Sequence, residues 1–211
     1  MSESDFLFVS RHPLVRHKLT RLRDRTTESW QFRLLVRDLA QLLFYEAMHD
    51  LRLEPCTVQT PLGECAGQRI AERIGLAPIL RAGLGMADAI LELVPPASVW
   101  HLGLYRDHDT LQPVMYYNKL PADLPIDLAL VVDPMLATGG SAAAAVTLLK
   151  DAGLRRIKFL GLIAAPEGVR ALRQAHPDVP LHLGAIDPHL DERSYIVPGL
   201  GDAGDRQFGT H

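Results

Sequence analysis

Cysteine is almost missing from this chain: among 211 residues only Cys56 and Cys65 occur, with no C-x-x-C between them. A disulfide framework is therefore not expected, and two unpaired thiols in a reducing cytoplasm are the default. Long apolar runs are missing too. None approaches the ~18 residues of a membrane span, and the polar, acidic start M-S-E-S-D does not read as a signal peptide. The nine histidines are scattered without an H-E-x-x-H, so a zinc site is not expected. Positive charge is not in excess: the net charge of −3 argues against broad nucleic-acid binding. What remains, 47% hydrophobic and 22% charged residues, is the composition of a soluble globular chain. Its length suits one ordinary domain, 1–211, burying ~70% of its unfolded surface.

The most informative stretch runs from Leu128 to Lys150, L-A-L-V-V-D-P-M-L-A-T-G-G-S-A-A-A-A-V-T-L-L-K. Leu128 to Val132 reads as a strand buried on both faces. Asp133 breaks it, and Pro134 keeps Asp133 extended. Thr138, Gly139, Gly140 and Ser141 follow, and from about Ser141 the alanine-rich run predicts a helix. A helix start leaves backbone N–H groups unpartnered and carries the positive end of the dipole. Glycines let a phosphate approach, and the hydroxyls of Thr138 and Ser141 add donors. The dipole supplies only ~0.3–1 kcal/mol, so converging hydrogen bonds must do most of the holding. A P-loop is excluded because the loop has no lysine. Asp133 suits sugar hydroxyls better than a phosphate, and a phosphate beside a diol describes a ribose 5-phosphate.

D-P-M-L-A-T-G-G-S resembles the phosphoribosyl pyrophosphate (PRPP) motif of type I phosphoribosyltransferases, in the variant carried by uracil phosphoribosyltransferases. Most of that superfamily has two adjacent acidic residues, and Pro134 in the second place is typical of the uracil branch. The resemblance extends over nearly the whole chain: H-P-L-V-R-H-K-L, P-I-L-R-A-G-L-G, A-A-P-E-G and Y-I-V-P-G-L-G-D-A-G-D-R-Q-F-G-T occur in the same order. It implies an α/β fold with a doubly wound, mainly parallel sheet. The core is expected at about 70–187, with a hood from the N-terminal helices and residues 188–211, and a β-hairpin arm. It implies transfer of the 5-phosphoribosyl group from PRPP to uracil, giving UMP and pyrophosphate. Mg²⁺ is expected to be carried by PRPP and water without direct side-chain ligands. A homo-oligomer, GTP as an allosteric effector, and no membrane or nucleic-acid partner complete the implied picture.

By the same resemblance the PRPP ligands are Arg81, Arg106, Asp133, Pro134, Met135, Leu136, Ala137, Thr138, Gly139, Gly140, Ser141 and Asp202. Uracil falls to Ile196, Gly201, Asp202 and Ala203, and the catalytic group to Asp202, Arg106 and Asp133. Residue chemistry supports parts of this independently. Arg81 ends a buried strand before a glycine loop, where open α/β sheets bind ligands, and its planar fork suits a pyrophosphate. The tail G-L-G-D-A-G satisfies G-x-G-x-x-G, yet only seven residues follow, so a dinucleotide fingerprint is rejected. A tight glycine loop with exposed backbone instead suits the oxygen, N–H, oxygen edge of uracil and should reject cytosine by ~10⁴-fold. Asp202 is expected to favour loss of the uracil ring proton. Two alternatives stand beside this reading: an RNA-binding pyrimidine-operon regulator on the same fold, and a phosphoribosyltransferase for another base.

Elsewhere, residues 1–10 read as a mobile or edge segment. His12 to Arg25 reads as an amphipathic helix with a solvated basic face and no chemistry. Trp30 to His49 predicts a second helix, capped by Ser29 or Thr27. Leu51 to Arg73 reads as hairpin or irregular structure. Gly75–Leu80, Ser98–Tyr105, Pro113–Asn118, Ile157–Ala164 and Leu181–Ile186 read as strands, and Ala87–Leu93 and Pro166–Ala175 as helices. Ala165 to Gly168 reads as a plain helix start. Asp107, His108 and Asp109 read as loop-tip residues, and Tyr116, Tyr117 and Lys119 as arm or interface residues.

Overall fold

Leu128–Val132, Ile157–Ala164 and Ile74–Pro78 are buried at every residue. Such runs belong to a parallel sheet covered by helices on both sides. The computed structural model, which describes residues 6–106, 113–121 and 124–210, has this architecture. In chain order its elements are β1 (Leu7–Val9), α1 (Pro13–Arg23), α2 (Ser29–Ala47), β2 (Leu53–Thr60), β3 (Gly63–Ile70), β4 (Ile74–Pro78), α3 (Leu84–Leu93), β5 (Ser98–Val99), β6 (Leu102–Arg106), β7 (Pro113–Asn118), β8 (Leu128–Val132), β9 (Met135–Leu136), α4 (Gly140–Asp151), β10 (Ile157–Ala164), α5 (Pro166–Ala175), β11 (Leu181–Ile186), β12 (His189–Leu190), β13 (Ile196–Val197) and α6 (Ala203–Phe208).

Among the described residues the main sheet has seven strands in the order β1-β11-β10-β8-β4-β5, with β9 also beside β10, and every pairing is parallel. Side chains alternate across it. Leu128, Leu130 and Val132 pack with α1, α2 and α3, whereas Ala129 and Val131 pack with α4 and α5. Lys158 is the exception in this apolar middle. Its Nζ donates to Ala47 O at 2.6 Å and Asp50 Oδ1 at 2.5 Å, at the C-terminal end of α2 where the helix dipole favours a cation. No described helix is long and apolar enough to cross a membrane.

The sheet draws on more than residues 70–187, because β1 pairs with β11 as an edge strand. Ser29 and Thr27 do not cap α2. Glu28 occupies the N-cap, with its N–H donating to Gln31 Oε1 at 3.2 Å, and the Thr27 hydroxyl instead donates to Arg21 O at the end of α1. Leu53–Ile70 forms a regular antiparallel hairpin, β2 with β3, almost wholly exposed. The strand expected over Ser98–Tyr105 is split, because the chain changes partners. Ser98 and Val99 pair with β4, whereas Leu102–Arg106 pairs with β7 to form an arm. Asp107, His108 and Asp109 lie outside the described residues.

Candidate active site

The cradle forms where β8 ends. Leu160 stands opposite Val132 and Ile163 opposite Met135, so β10 keeps one register across the Asp133–Pro134 step. Pro134 has no N–H to give, and its carbonyl accepts from Leu162 and Ile163. The chain then turns through Ala137, Thr138 and Gly139 into α4. Gly139 has φ +84°, and a Cβ there would stand 2.8 Å from Gly168 O, so both conformation and space demand glycine. No side chain caps α4, and the first bond into the helix is from Ala143 N–H to Gly139 O. Among the described residues the N–H groups of Gly140, Ser141 and Ala142 make no bond into the helix, as at any uncapped helix start. Ser141 and Ala142, with Asp133, Met135, Thr138 and Gly139, border a pocket of about 150 Å³. That is below the ~300 Å³ of a drug-sized site and suits a single phosphate group. Leu136 also borders the pocket; the residue is otherwise buried in the core, with its carbonyl taken by Ala165 N–H.

This cradle leans on α5. A Cβ at Gly168 would lie 2.5 Å from Ala137 O, so the A-A-P-E-G stretch is the wall that supports the loop and more than a plain helix start.

Asp133 sits at the carboxyl edge of the sheet, half-buried. Its Oδ1 accepts one long bond from Met135 N–H, at 3.3 Å. Desolvation pushes its carboxyl up to about 7, the negative charge of Asp202 pushes the same way, and the Met135 N–H opposes both. The influence of Asp202 brings a tail residue into the same cleft as the central motif. Arg81 follows β4, in a loop that rests on β8: a Cβ at Gly83 would stand 2.5 Å from Val132 O. The Arg81 guanidinium is 2.9 Å from Asp205 Oδ1 and 3.4 Å from Thr210 Oγ1. A Cβ at Gly204 would meet Asp202 Oδ1 at 3.2 Å and Arg81 Nη2 at 3.5 Å. Arg81, Asp202 and Asp205 therefore surround one point. Arg106 closes β6 opposite Pro113; its side chain lies outside the described residues.

The tail is a loop only as far as Asp202. Residues 203–208 form α6, and Asp202 is its N-cap, with Oδ1 accepting Asp205 N–H at 2.9 Å. The tight loop expected through Gly204 thus ends earlier, because an aspartate whose side chain accepts the N–H three residues on caps a helix. Gly201 and Asp202 are exposed, whereas Ile196 and Ala203 are buried beneath them.

The groups that hold this tail escaped the sequence reading. Arg206 donates to Leu22 O, Leu200 O and Asp24 O at 2.6–2.9 Å, with its guanidinium 4.5 Å from the centre of the Phe32 ring. Burial lowers its pKa. Gln207, buried, donates to Ala82 O at 3.0 Å and so ties the tail to the Arg81 loop. Arg23, expected on a solvated face, reaches the buried Asp187 and the loop at Gly199.

A family model described as uracil phosphoribosyltransferase matches residues 9–210. Uracil phosphoribosyltransferase of Roseiflexus castenholzii is 68% identical over 204 residues, covering 97% of this chain and 98% of that protein. That of Listeria innocua is 56% identical over 203 residues, covering 96% and 97%. Among solved structures, a protein of Aquifex aeolicus superposes with a TM-score of 0.91 at 35% identity, over 96% of this chain and 98% of that one. A hypoxanthine phosphoribosyltransferase of Staphylococcus aureus shares the fold alone, with a TM-score of 0.52 at 10% identity over 86% and 84% of the two chains. With the anion cradle, the strand-end arginine and the glycine tail gathered at one sheet edge, and relatives this similar over nearly their full length, the chain belongs to the uracil phosphoribosyltransferase family.

Proposed function

We propose that this protein, acting as one unit over 1–211, transfers the 5-phosphoribosyl group of PRPP to uracil, giving UMP and pyrophosphate. The observation that carries the reading is the convergence of Asp133, Arg81 and Asp202 beside the uncapped start of α4. The hydroxyls of Thr138 and Ser141 and the first N–H groups of α4 hold the 5-phosphate. Asp133 accepts from the ribose hydroxyls. Arg81, whose partner Asp205 is itself partly exposed, turns its planar fork to the pyrophosphate, with Arg106 joining from the arm. The backbone of the loop around Ile196, Gly201 and Ala203 matches the polar edge of uracil. Asp202 faces the base and draws its ring proton as the ribosyl carbon gains cationic character. Catalysis is then mainly positioning and charge stabilisation.

The carboxylates also bear on Mg²⁺. Among the described residues no three metal-ligating side chains cluster, but Asp133 and Asp202 act on each other across one cleft. An ion that keeps most of its waters fits such a pair, and Asp133 and Asp202 would hold it through water beside the substrate phosphates. Its chemistry when bound is to neutralise the charge gathering on the leaving pyrophosphate.

A homo-oligomer belongs to the same reading. The β2–β3 hairpin exposes Leu53, Val58, Leu62 and Ile70, and α2 exposes Trp30, Leu34 and Tyr45, apolar side chains that a second copy would cover. The decisive assay mixes the protein with PRPP, Mg²⁺ and each nucleobase in turn. UMP from uracil alone is the expected product, and a purine mononucleotide or none at all overturns the reading.

A further inference from the structure

Arg23 is the last residue of α1, and Asp187 follows β11 directly. They are far apart in the chain and meet in a bidentate pair, Nη1 to Oδ2 at 2.7 Å and Nη2 to Oδ1 at 2.6 Å. The same Nη1 donates to Gly199 O at 2.7 Å, and the same Oδ2 accepts Gly199 N–H at 2.9 Å. Both polar groups of one loop residue are thus gripped by the two ends of one ion pair. Asp187 is itself anchored, since its N–H donates to Ala164 O at 2.8 Å on the carboxyl edge of the sheet.

Gly199 is the hinge of the tail. Its φ is +62°, and a Cβ there would fall 2.0 Å from Ile196 O, so the chain folds back on itself at this point. Ile196 precedes it and Gly201, with φ +77°, follows. A loop with two left-handed glycines is intrinsically free to take other conformations. A backbone that must match the donor and acceptor order of a small ring needs its groups fixed to within about half an ångström. Charge-assisted bonds to both sides of the Gly199 residue supply that constraint.

Stability alone does not account for the pair. A buried ion pair frequently adds nothing over an apolar replacement, because desolvation offsets its attraction. Asp187 is buried at 5% exposure, and among the described residues neither member bonds to Arg81 or to residues 133–141. We propose that Arg23 and Asp187 are positioning residues that set the geometry of the uracil-reading loop and thereby its affinity for the base. This rests on the assignment of that loop to uracil.

The test compares Asp187→Asn, Arg23→Ala and Arg23→Lys with the parent protein, varying uracil and PRPP separately and following thermal unfolding. Asp187→Asn and Arg23→Ala are expected to raise KM for uracil by about 10- to 100-fold, the range for losing a hydrogen bond to a charged partner. KM for PRPP should stay within about twofold by the same reasoning. Arg23→Lys, which retains the charge and one donor, should recover part of the loss and keep the protein folded. A merely structural pair would lower the active fraction, and with it kcat, while leaving KM for uracil in place. Unchanged KM for uracil in all three variants, or parallel rises for both substrates, overturns the proposal. A parent protein that makes no UMP overturns the uracil assignment itself, so the two failures are distinguishable.

Discussion

Replacing Asp133 by asparagine should stabilise the protein while disabling it. In the unfolded chain this carboxyl titrates near 3.8, and in the folded protein burial and Asp202 move it up to about 7. Below pH ~4 both forms are protonated and the group makes no difference. As pH rises from there the unfolded chain releases its proton first, so the folded state loses stability progressively until the folded carboxyl also ionises near 7. Above that the loss is complete. The interval between 3.8 and about 7 sets a ceiling of ~4 kcal/mol. Cleft water and an effective dielectric near 20 reduce this to roughly 2 kcal/mol. Asparagine keeps an oxygen for Met135 N–H and carries no charge. With a urea slope of about 2–3 kcal/mol/M, its unfolding midpoint at pH 8 should lie ~0.7–1 M above the parent's. The gain should shrink below ~1 kcal/mol at pH 4, where the unfolded carboxyl is itself only partly ionised. Use of PRPP should fall by about 10- to 100-fold as the charged acceptor for the ribose hydroxyls is lost. Urea titrations at pH 4 and 8 and initial-rate assays measure both halves. An asparagine variant no more stable than the parent at pH 8, or a gain independent of pH, would refute the reasoning.

Three further outcomes are expected. Gly139→Ala must accept φ +84° with a methyl 2.8 Å from Gly168 O, which should destabilise the protein by ~1–3 kcal/mol and raise KM for PRPP more than for uracil; urea unfolding and two-substrate kinetics read both. Arg206→Met leaves three carbonyls without their donor and should remove about 2–3 kcal/mol, or ~5–10 °C of Tm, in calorimetry. Asp202→Asn should keep Tm within ~2 °C, since asparagine also serves at an N-cap, yet lose most turnover. Carboxyl-carbon NMR should then find Asp133 titrating at lower pH, because a negative neighbour has gone; an unmoved titration would separate the two aspartates.

The legible parts of the chain were those whose signal is local. Ile157–Ala164, Pro166–Ala175 and Leu181–Ile186 begin and end in the structure where an apolar run, a proline and a second apolar run place them. The loop proposed for the phosphate was legible for the same reason: strand end, small residues and helix start are adjacent in sequence. What stayed hidden is non-local. Arg23 looks like Arg21 or Arg25 within a basic helix, and only the packing of α1 beside β11 gives it Asp187 and Gly199. Gly168 reads as a helix residue until the carbonyl of Ala137 arrives against it. Only α6 carries a local sign in this region, since the aspartates at 202 and 205 have the spacing of a helix cap.

How the fold treats its inward-facing charges separates structure from function. Lys158 is buried in the sheet and receives a helix-end carbonyl and Asp50, so nothing about it awaits a partner. Arg206 likewise has three carbonyls and an aromatic face. Asp133 receives one 3.3 Å bond and a neighbour of its own sign. A fold that completes the surroundings of Lys158 and Arg206 and leaves this one short of donors holds the carboxylate ready for groups that arrive from outside. Arg81 occupies the middle ground, joined to Asp205 at a half-exposed pair that can be exchanged for a stronger anion without unfolding anything. The uncompensated carboxylate and the exchangeable arginine flank the same opening, which is why the ligand expected there carries both hydroxyls and phosphates.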